Sequence, residues 1–243
     1  MTEELLIGAG VVAAAFGAAV VGGVVGIGTA IIMLPILALV LGVRETVAVL
    51  AVAMTMANLA RMIANRREID WRVVVWWTLG ALPFAILGTF ILASAPPEAL
   101  TRLLGAFFLL VVVYRRMPLG QDWHMPVRGF AVLGAVQAGV TALFGAAGPL
   151  GVPFFLAYGL TRGAFVGTMS AGNVAMNGVR IPAQSGFDLL TLELALIGVG
   201  IGLVMFAGGF AGRWVVTRVS ERFFIILVEV VLAAVGLLFL IRG

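Results

Sequence analysis

Ten apolar segments, separated by short polar or glycine-rich stretches, occupy most of this 243-residue chain. Hydrophobic residues make up 63% of the chain and charged residues 11%, which is more apolar surface than a soluble core of this size can bury. The pattern predicts an all-α polytopic membrane protein with about eight to ten spans. The segments lie near residues 5–21, 26–42, 45–64, 72–93, 99–114, 127–144, 149–160, 163–183, 189–211 and 222–241.

Composition narrows the function classes that the chain can serve. It has no cysteine and a single histidine, His124, which excludes disulfides, thiolate metal sites and histidine-rich metal sites. The sequence has no convergent catalytic motif and no nucleotide-binding P-loop, which argues against an enzyme and against ATP-driven pumping by this chain. We therefore predict no cofactor and no metal. A basic stripe with interleaved aromatic residues, typical of nucleic-acid binding, is also missing.

The basic residues, all of them arginine, cluster in the loops between the apolar segments. Because cytoplasmic loops are enriched in basic residues, this asymmetry predicts a multi-pass protein of the plasma (inner) membrane with its amino terminus outside. The cytoplasmic loops would contain Arg66, Arg67, Arg72, Arg115, Arg116, Arg128, Arg162, Arg213, Arg218 and Arg222. We interpret the tryptophans near that interface as an aromatic belt: Trp71, Trp76, Trp77, Trp123 and Trp214.

Two apolar segments are interrupted by glycine and proline at corresponding places, GGVVGIGTAIIMLP at 22–35 and LFGAAGPLGVP at 143–153. Irregular backbone at membrane depth is tolerated only where it is buried in protein or lines a cavity, so such breaks indicate a transporter's binding site. We expect a short helix to begin after the glycines of each stretch, because Pro35, Pro149 and Pro153 disrupt a continuous helix. Two helix amino termini would attract an anion. Alternatively, the glycines serve only close helix packing.

The two halves of the chain repeat weakly but in order. A shift of 119 residues places the Asn58 and Arg61 pair on the Asn177 and Arg180 pair. Each half has an odd number of crossings, whether its first two segments span the membrane or form a re-entrant hairpin, so the halves should be inserted upside down relative to each other. We predict a first transmembrane repeat at 1–116, a cytoplasmic linker at 117–126 and a second transmembrane repeat at 127–243.

Three stretches make the chain resemble the sulfite exporter TauE/SafE family over nearly its whole length. They are GGVVGIGTAIIMLPILALVLGV, the basic loop NRREIDWR after the third segment, and GAAGPLGVPFFLAYGLTRGAFVGT in the second half. The resemblance implies a secondary transporter of small anions, with sulfite, organosulfonates and small carboxylated compounds as the substrate classes. Sulfite or another sulfur oxyanion is the expected solute. An anion channel and a carrier of small carboxylates stay as alternatives, because a channel has similar linings.

Polar side chains within apolar segments are costly in lipid, so they normally face the interior of a helix bundle. We predict that the broken stretches and these polar residues form a substrate site near the middle of the membrane, with transport by alternating access. Interhelical hydrogen bonding is the alternative role for the polar side chains. The predicted substrate-binding residues are Gly26, Gly28, Thr29, Thr55, Asn58, Gln137, Thr141, Gly145, Gly148, Gly151, Ser170, Asn173 and Asn177.

Three charged residues complete the predicted site. Inverted symmetry would place Arg61 near one mouth of the pathway and Arg180 near the other, where a planar guanidinium suits an oxyanion. An arginine that snorkels to lipid headgroups is the alternative interpretation of both. Glu229 lies near the centre of the last segment, where an ionised carboxylate is unfavourable, and it is a candidate for proton coupling.

Overall fold

The computed structural model describes residues 2–25, 29–116, 124–160, 162–215 and 233–241, and the regular structure within these ranges is entirely helical. This agrees with the all-α prediction, and the helices follow the ten apolar segments. The helices are α1 (Thr2–Val25), α2 (Thr29–Leu41), α3 (Val43–Ala64), α4 (Trp71–Ser94), α5 (Pro97–Arg116), α6 (Gly129–Phe144), α7 (Gly148–Ala157), α8 (Arg162–Gly186), α9 (Leu192–Val215) and α10 (233–241).

Four of the described helical segments are long and apolar enough, by length and composition, to cross a membrane. Large apolar side chains on their outer faces are exposed, including Leu79 at 59%, Leu110 at 60% and Leu203 at 57%. Exposed apolar faces of this kind are expected where lipid is the solvent. The membrane class is therefore confirmed, whereas the number of spans stays a prediction. The four segments are Val43–Ala64, Trp71–Ser94, Pro97–Tyr114 and Leu192–Gly209.

Both broken stretches contain a short helix, as the sequence predicted. α2 has 13 residues and α7 has 10, so they are about 20 Å and about 15 Å long and too short to cross a bilayer alone. α6 ends at Phe144, Gly145 adopts a left-handed φ of 78°, and α7 begins at Gly148. Pro35 lies inside α2 and Pro153 inside α7, so neither proline ends its helix. The glycine turn, rather than a proline, therefore makes the break before α7.

The main helix contacts come in matching pairs. The 119-residue shift makes α1 equivalent to α6, α3 to α8 and α4 to α9, and each main contact has its counterpart between the equivalent helices. α4 makes an extensive contact with α6, and the equivalent helices α9 and α1 also pack along each other. α3 packs on α9, just as α8 packs on α4, and α3 also packs on α8. Each of these contacts joins one half of the chain to the other.

Glycines allow the close approach of these helices. A Cβ atom on Gly80 of α4 would collide with the Ala131 carbonyl of α6, and one on Gly208 of α9 would lie 2.8 Å from the Ala19 Cβ atom of α1. Direct backbone packing of this kind is how helices commonly associate in membranes. Glycine therefore serves close packing along the long helices, whereas Gly145 forms a turn.

α3 and α8 lie antiparallel. Arg180, in the later part of α8, contacts Val47 near the start of α3, and Asn65 at the end of α3 lies beside Gly167 near the start of α8. The two helices are sequence equivalents under the 119-residue shift. Two helices with equivalent sequences therefore run in opposite directions where they pack together.

Trp77 differs from Trp71 and Trp76, whereas Trp123 and the Trp214 side chain lie outside the described residues. Trp71 is exposed, and the Arg128 guanidinium lies 5.9 Å from the centroid of the Trp76 ring, as expected near an interface. Trp77 is buried, and its indole N–H donates to Gln137. The belt interpretation is wrong for this residue, because a tryptophan whose N–H finds an internal partner can be a core residue.

Candidate functional site

A cavity lies between the start of α2, the break before α7 and the facing sides of α3 and α8. Its volume is about 60 Å³, which is room for a few water molecules or one small oxyanion. The lining combines charged, polar and apolar side chains with exposed backbone of the break. It consists of Thr29, Asn58, Arg61, Thr141, Asn173, Asn177 and Arg180, the break residues Gly145, Ala146, Ala147 and Gly148, and the apolar residues Ala30, Ile31, Met54, Met169 and Met176.

α3 and α8 each present one helical face to the cavity. The lining residues recur at positions i, i+4 and i+7, which is the spacing of one face of an α-helix. The triplets on the two helices are equivalent at every position under the 119-residue shift. They are Met54, Asn58 and Arg61 on α3, and Asn173, Asn177 and Arg180 on α8.

Arg180 is a buried cation with an unused hydrogen-bond donor. Its side chain is 1% exposed, its Nη2 atom donates a 2.9 Å hydrogen bond to the Val47 carbonyl, and its Nε atom has no partner among the described residues. A buried donor without an acceptor costs about 1 to 3 kcal/mol. Because Arg180 also lines the cavity, its guanidinium contributes positive charge to the cavity wall.

Arg61 lines the same cavity from α3. Its side chain is 6% exposed, and its Nε atom donates a 3.1 Å hydrogen bond to the Ala57 carbonyl of its own helix. The sequence predicted one arginine near each mouth of a pathway, whereas the structure brings Arg61 and Arg180 to one shared cavity. The antiparallel packing of α3 and α8 is the reason. Side chains this deeply buried do not fit the alternative of snorkelling to headgroups.

Gln137 lies behind the break before α7 and is not among the residues that line the cavity. Its Nε2 atom donates to the Ala147 carbonyl at 3.2 Å, and its Oε1 atom accepts from the Trp77 indole N–H at 2.8 Å. Gly151, also predicted to bind substrate, leaves room for this amide, because a Cβ atom there would collide with it. The structure therefore places both residues as supports of the break rather than in the cavity wall.

Thr29 ties the start of α2 to the helix before it. It lines the cavity, and its hydroxyl donates a 3.2 Å hydrogen bond to the Ala18 carbonyl of α1. Ala18 and Gln137 are equivalent under the 119-residue shift, as are Thr29 and Gly148. Each short helix is therefore tied to the long helix before it by a side-chain hydrogen bond. The donor lies on the short helix in the first half and on the long helix in the second half.

Some predicted site residues lie away from the cavity. The Thr55 hydroxyl donates to the Ala51 carbonyl of its own helix at 2.7 Å, and Ser170 is buried but is not part of the lining. The other predicted site residues that the structure describes, apart from Gln137 and Gly151, do line the cavity. Gly26, Gly28 and Glu229 lie outside the described residues.

Sequence reasoning missed the methionines of the lining. Met54, Met169 and Met176 share the helix faces that carry the asparagine and arginine residues. The site residues were predicted from the polarity of their side chains, and a methionine thioether is no more polar than an ordinary core side chain. The spacing from Met54 to Asn58 and from Met169 to Asn173, four residues in each case, would have identified two of them.

Comparison with known protein families matches residues 11–239 to the family model described as Sulfite exporter TauE/SafE. The match covers nearly the whole chain and every residue of the cavity lining. Neither a search of curated proteins nor a search of solved structures gives a significant match.

Proposed function

Because the chain belongs to the sulfite exporter TauE/SafE family, we propose that it is a secondary transporter that carries sulfite or another small sulfur oxyanion across the plasma membrane. The family supports membrane transport of sulfur anions as the general function. The cavity described above is the proposed binding site, and the mechanism is alternating access around it.

The unused donor of Arg180 is the observation that carries this proposal. Its buried guanidinium faces a cavity whose other polar residues supply amide and hydroxyl groups. An oxyanion offers several acceptor oxygens, and the planar fork of arginine matches such groups better than a point charge does. A bound oxyanion would remove the cost of the unsatisfied donor and balance part of the cavity's positive charge.

The two helix starts support an anion as the ligand. Ala147 precedes α7 and provides no side-chain cap. Pro149 has no N–H and the Leu150 N–H donates to the Ala147 carbonyl, so the Gly148 N–H is the donor that the start of α7 offers to a ligand. Thr29 and Gly148, the first residues of α2 and α7, both line the cavity. A helix amino terminus carries a partial positive charge of about half a unit, so both starts favour a negative ligand.

The packing of the halves supports alternating access by inverted repeats, with domains at 1–116 and 127–243. Inverted halves would bring equivalent helices together in antiparallel pairs, and α3 and α8 are packed in this way. The contact of α4 with α6 and the equivalent contact of α9 with α1 are also expected of such a repeat. The arginine-rich loops support a cytoplasmic linker and an amino terminus outside.

The methionines of the lining favour a second candidate substrate. Met54, Met169 and Met176 give the cavity an apolar wall that an inorganic oxyanion does not use. A short organic anion, an organosulfonate or a small carboxylate, would place its charged group against the arginines and its carbon atoms against these thioethers. Both candidates require the same cationic wall.

A ligand screen on the purified protein tests the proposal. Sulfite, thiosulfate, sulfate, sulfoacetate and lactate are added separately, and thermal unfolding is followed. A ligand at about 100 times its Kd should stabilise the folded state by about 2.7 kcal/mol. We expect sulfite or sulfoacetate to raise the unfolding temperature, and Arg180→Gln to reduce the shift by half or more. No response to any of the five anions would refute an anion site.

Transport in proteoliposomes separates a carrier from a channel. A carrier exchanges solutes, so unlabelled sulfite inside the vesicle should accelerate the uptake of labelled sulfite. An uncoupled sulfite current that scales linearly with voltage, without such acceleration, would favour the channel instead.

A further inference from the structure

The loop between α3 and α4 docks onto the α7 and α8 region of the other half. The Asp70 backbone N–H donates a 2.9 Å hydrogen bond to the Thr168 hydroxyl, and the Tyr158 hydroxyl donates one of 3.3 Å to Oδ2 of Asp70. Asn65, at the start of the loop, lies beside Gly167 of α8. These contacts join the two halves of the chain at this end.

The partners of Asp70 are themselves held in place. Oδ1 of Asp70 caps α4 by accepting from the backbone N–H groups of Arg72 and Val73, at 3.0 and 3.3 Å. The Tyr158 ring packs edge-on against Phe130, with the ring centroids 5.3 Å apart. Burial and the neighbouring Asp70 carboxylate raise the pKa of Tyr158, so its hydroxyl stays a donor at physiological pH.

The loop at the opposite end of α8 is bonded differently. Asp188 lies 118 residues after Asp70, in the equivalent loop between α8 and α9. It is exposed, and its carboxylate makes no hydrogen bond or ion pair with the part of the chain that the structure describes. The loop that contains Asp188 therefore lacks side-chain hydrogen bonds like those that hold the Asp70 loop.

Buried polar groups lie unsatisfied near that second loop. Gln184 and Thr46 are both fully buried, yet neither amide atom of Gln184 nor the Thr46 hydroxyl has a partner among the described residues. Gln184 follows Arg180 by one helical turn, and Thr46 precedes Val47, the residue that accepts from Arg180. Both therefore flank the same contact between α8 and α3.

We propose that Asp70, Tyr158 and Thr168 form a latch that closes the cavity at the α3–α4 end, and that a second conformation, in which the latch is broken, gives Gln184 and Thr46 the hydrogen bonds that they lack here. The proposal rests on the proposed transport function, because alternating access requires two conformations that exchange the closed end. Breaking the latch loses hydrogen bonds, while pairing Gln184 and Thr46 regains them, so the two conformations can lie close in free energy.

Access to the cavity from each membrane face can be measured with single cysteines, because the natural chain contains none. Met54→Cys places one thiol in the cavity lining. Arg67→Cys and Ser185→Cys, at exposed positions, identify which face carries each end. The rate of modification by an impermeant methanethiosulfonate is then measured from each face of oriented vesicles.

The latch variant combines Tyr158→Phe with Thr168→Val in the Met54→Cys chain. It removes both hydrogen bonds and keeps the aromatic ring and the side-chain volume. Loss of one such bond, at about 1 kcal/mol, corresponds to a roughly fivefold shift in population. We expect modification from the α3–α4 face to become at least about fivefold faster, and modification from the opposite face to become slower.

A second double variant predicts the opposite change. Gln184→Leu with Thr46→Val removes the polar groups that the second conformation would pair, so modification from the α3–α4 face should become slower. Thr55→Val, whose hydroxyl bonds within its own helix, is the control and should change neither rate. If one double variant does not fold, the direction of the change in modification rate in the other double variant tests the latch.

Unchanged rates in folded proteins of both double variants would overturn the latch. If sulfite is still transported in that case, only the latch fails. If the rates respond as expected but the chain neither binds nor transports sulfite, the latch stands and the proposed function fails.

Discussion

The two short helices, α2 and α7, are tied to the long helices before them by different chemistry. At α2 the donor is Thr29, on the short helix, and the acceptor is the Ala18 carbonyl of α1. At α7 the donor is Gln137, on the long helix α6, and the acceptor is the Ala147 carbonyl of the break. The order of a long helix followed by a short one repeats between the halves, although the residues that tie the two helices together do not. This explains why the sequence repeat is weak.

The break before α7 has the firmer support. Gln137 accepts from Trp77 of α4 as well as donating to Ala147, so its amide links two long helices to the break. Leu196, which lies 119 residues after Trp77 in α9, has no donor and is 63% exposed. We therefore expect the start of α7 to be the fixed wall of the site and the start of α2 to be the adaptable one.

Gln137→Met should produce the largest change in stability. It leaves the Trp77 N–H buried without a partner and removes one of the two hydrogen bonds that the Ala147 carbonyl accepts, the other coming from the Leu150 N–H, so the free energy of unfolding should fall by about 2 to 4 kcal/mol. Trp77→Phe is the matched variant, because it removes only one of the two bonds and should cost about half as much. Denaturant unfolding in detergent measures both. A Gln137→Met protein as stable as the wild type would mean that this break is not the firmer one.

Arg180→Gln should produce the largest change in binding. Loss of a charge-assisted hydrogen bond of about 1.5 to 3 kcal/mol should raise the Kd for sulfite roughly 10- to 100-fold. Arg180→Lys keeps the charge and loses the planar fork, so an intermediate Kd is expected. Titration calorimetry gives all three values. Arg61→Gln, measured in parallel, shows whether the halves contribute equally, and an unchanged Kd for Arg180→Gln would remove Arg180 from the site.

Gly145→Ala tests the turn itself. A left-handed conformation costs a residue with a Cβ atom about 1 to 2 kcal/mol, and here that atom would lie 3.2 Å from Cδ1 of Leu34 in α2. Gly159 is the matched control, because its φ is 96° and no atom lies within 4 Å of the corresponding position. Both alanine variants should lose stability in thermal unfolding, but only Gly145→Ala should also weaken sulfite binding. Equal binding in the two variants would count against a role for this turn.

Thr29→Val should have the smallest effect of the series. It removes the hydrogen bond from the Thr29 hydroxyl to the Ala18 carbonyl, and that carbonyl belongs to the interior of helix α1. The free energy of unfolding should therefore fall by about 1 kcal/mol. Unfolding measured beside Gln137→Met compares the two breaks directly. A larger loss for Thr29→Val than for Gln137→Met would reverse the assignment of the fixed and adaptable walls.

The sequence was a good guide where a residue's cost in lipid decides its position. Asn58, Asn177 and Arg180 were predictable because polar groups within apolar segments must face the bundle interior, and they do line the cavity. Gln137 carries the same signal, but whether an interior polar group faces a ligand or another side chain depends on its partners. Its partner Trp77 lies 60 residues away, and no local pattern connects the two.

The helices themselves were predictable from hydropathy, and the glycines located the break before α7. The relative positions of the two arginines were harder to predict. One arginine at each mouth and both arginines in one cavity are compatible with the same inverted repeat, and only the depth at which α3 and α8 cross separates the two arrangements. That depth is set by packing between helices distant in sequence, and their side chains must be placed before it can be known.

The central claim is that a small oxyanion binds between the starts of α2 and α7, against Arg180. The most direct test is an experimental structure of the protein with selenite, an electron-dense analogue of sulfite. The account predicts density for the anion within hydrogen-bonding distance of Arg180 Nε and beside Thr29 and Gly148. An empty cavity at selenite concentrations that saturate transport, or an anion bound elsewhere, would contradict it.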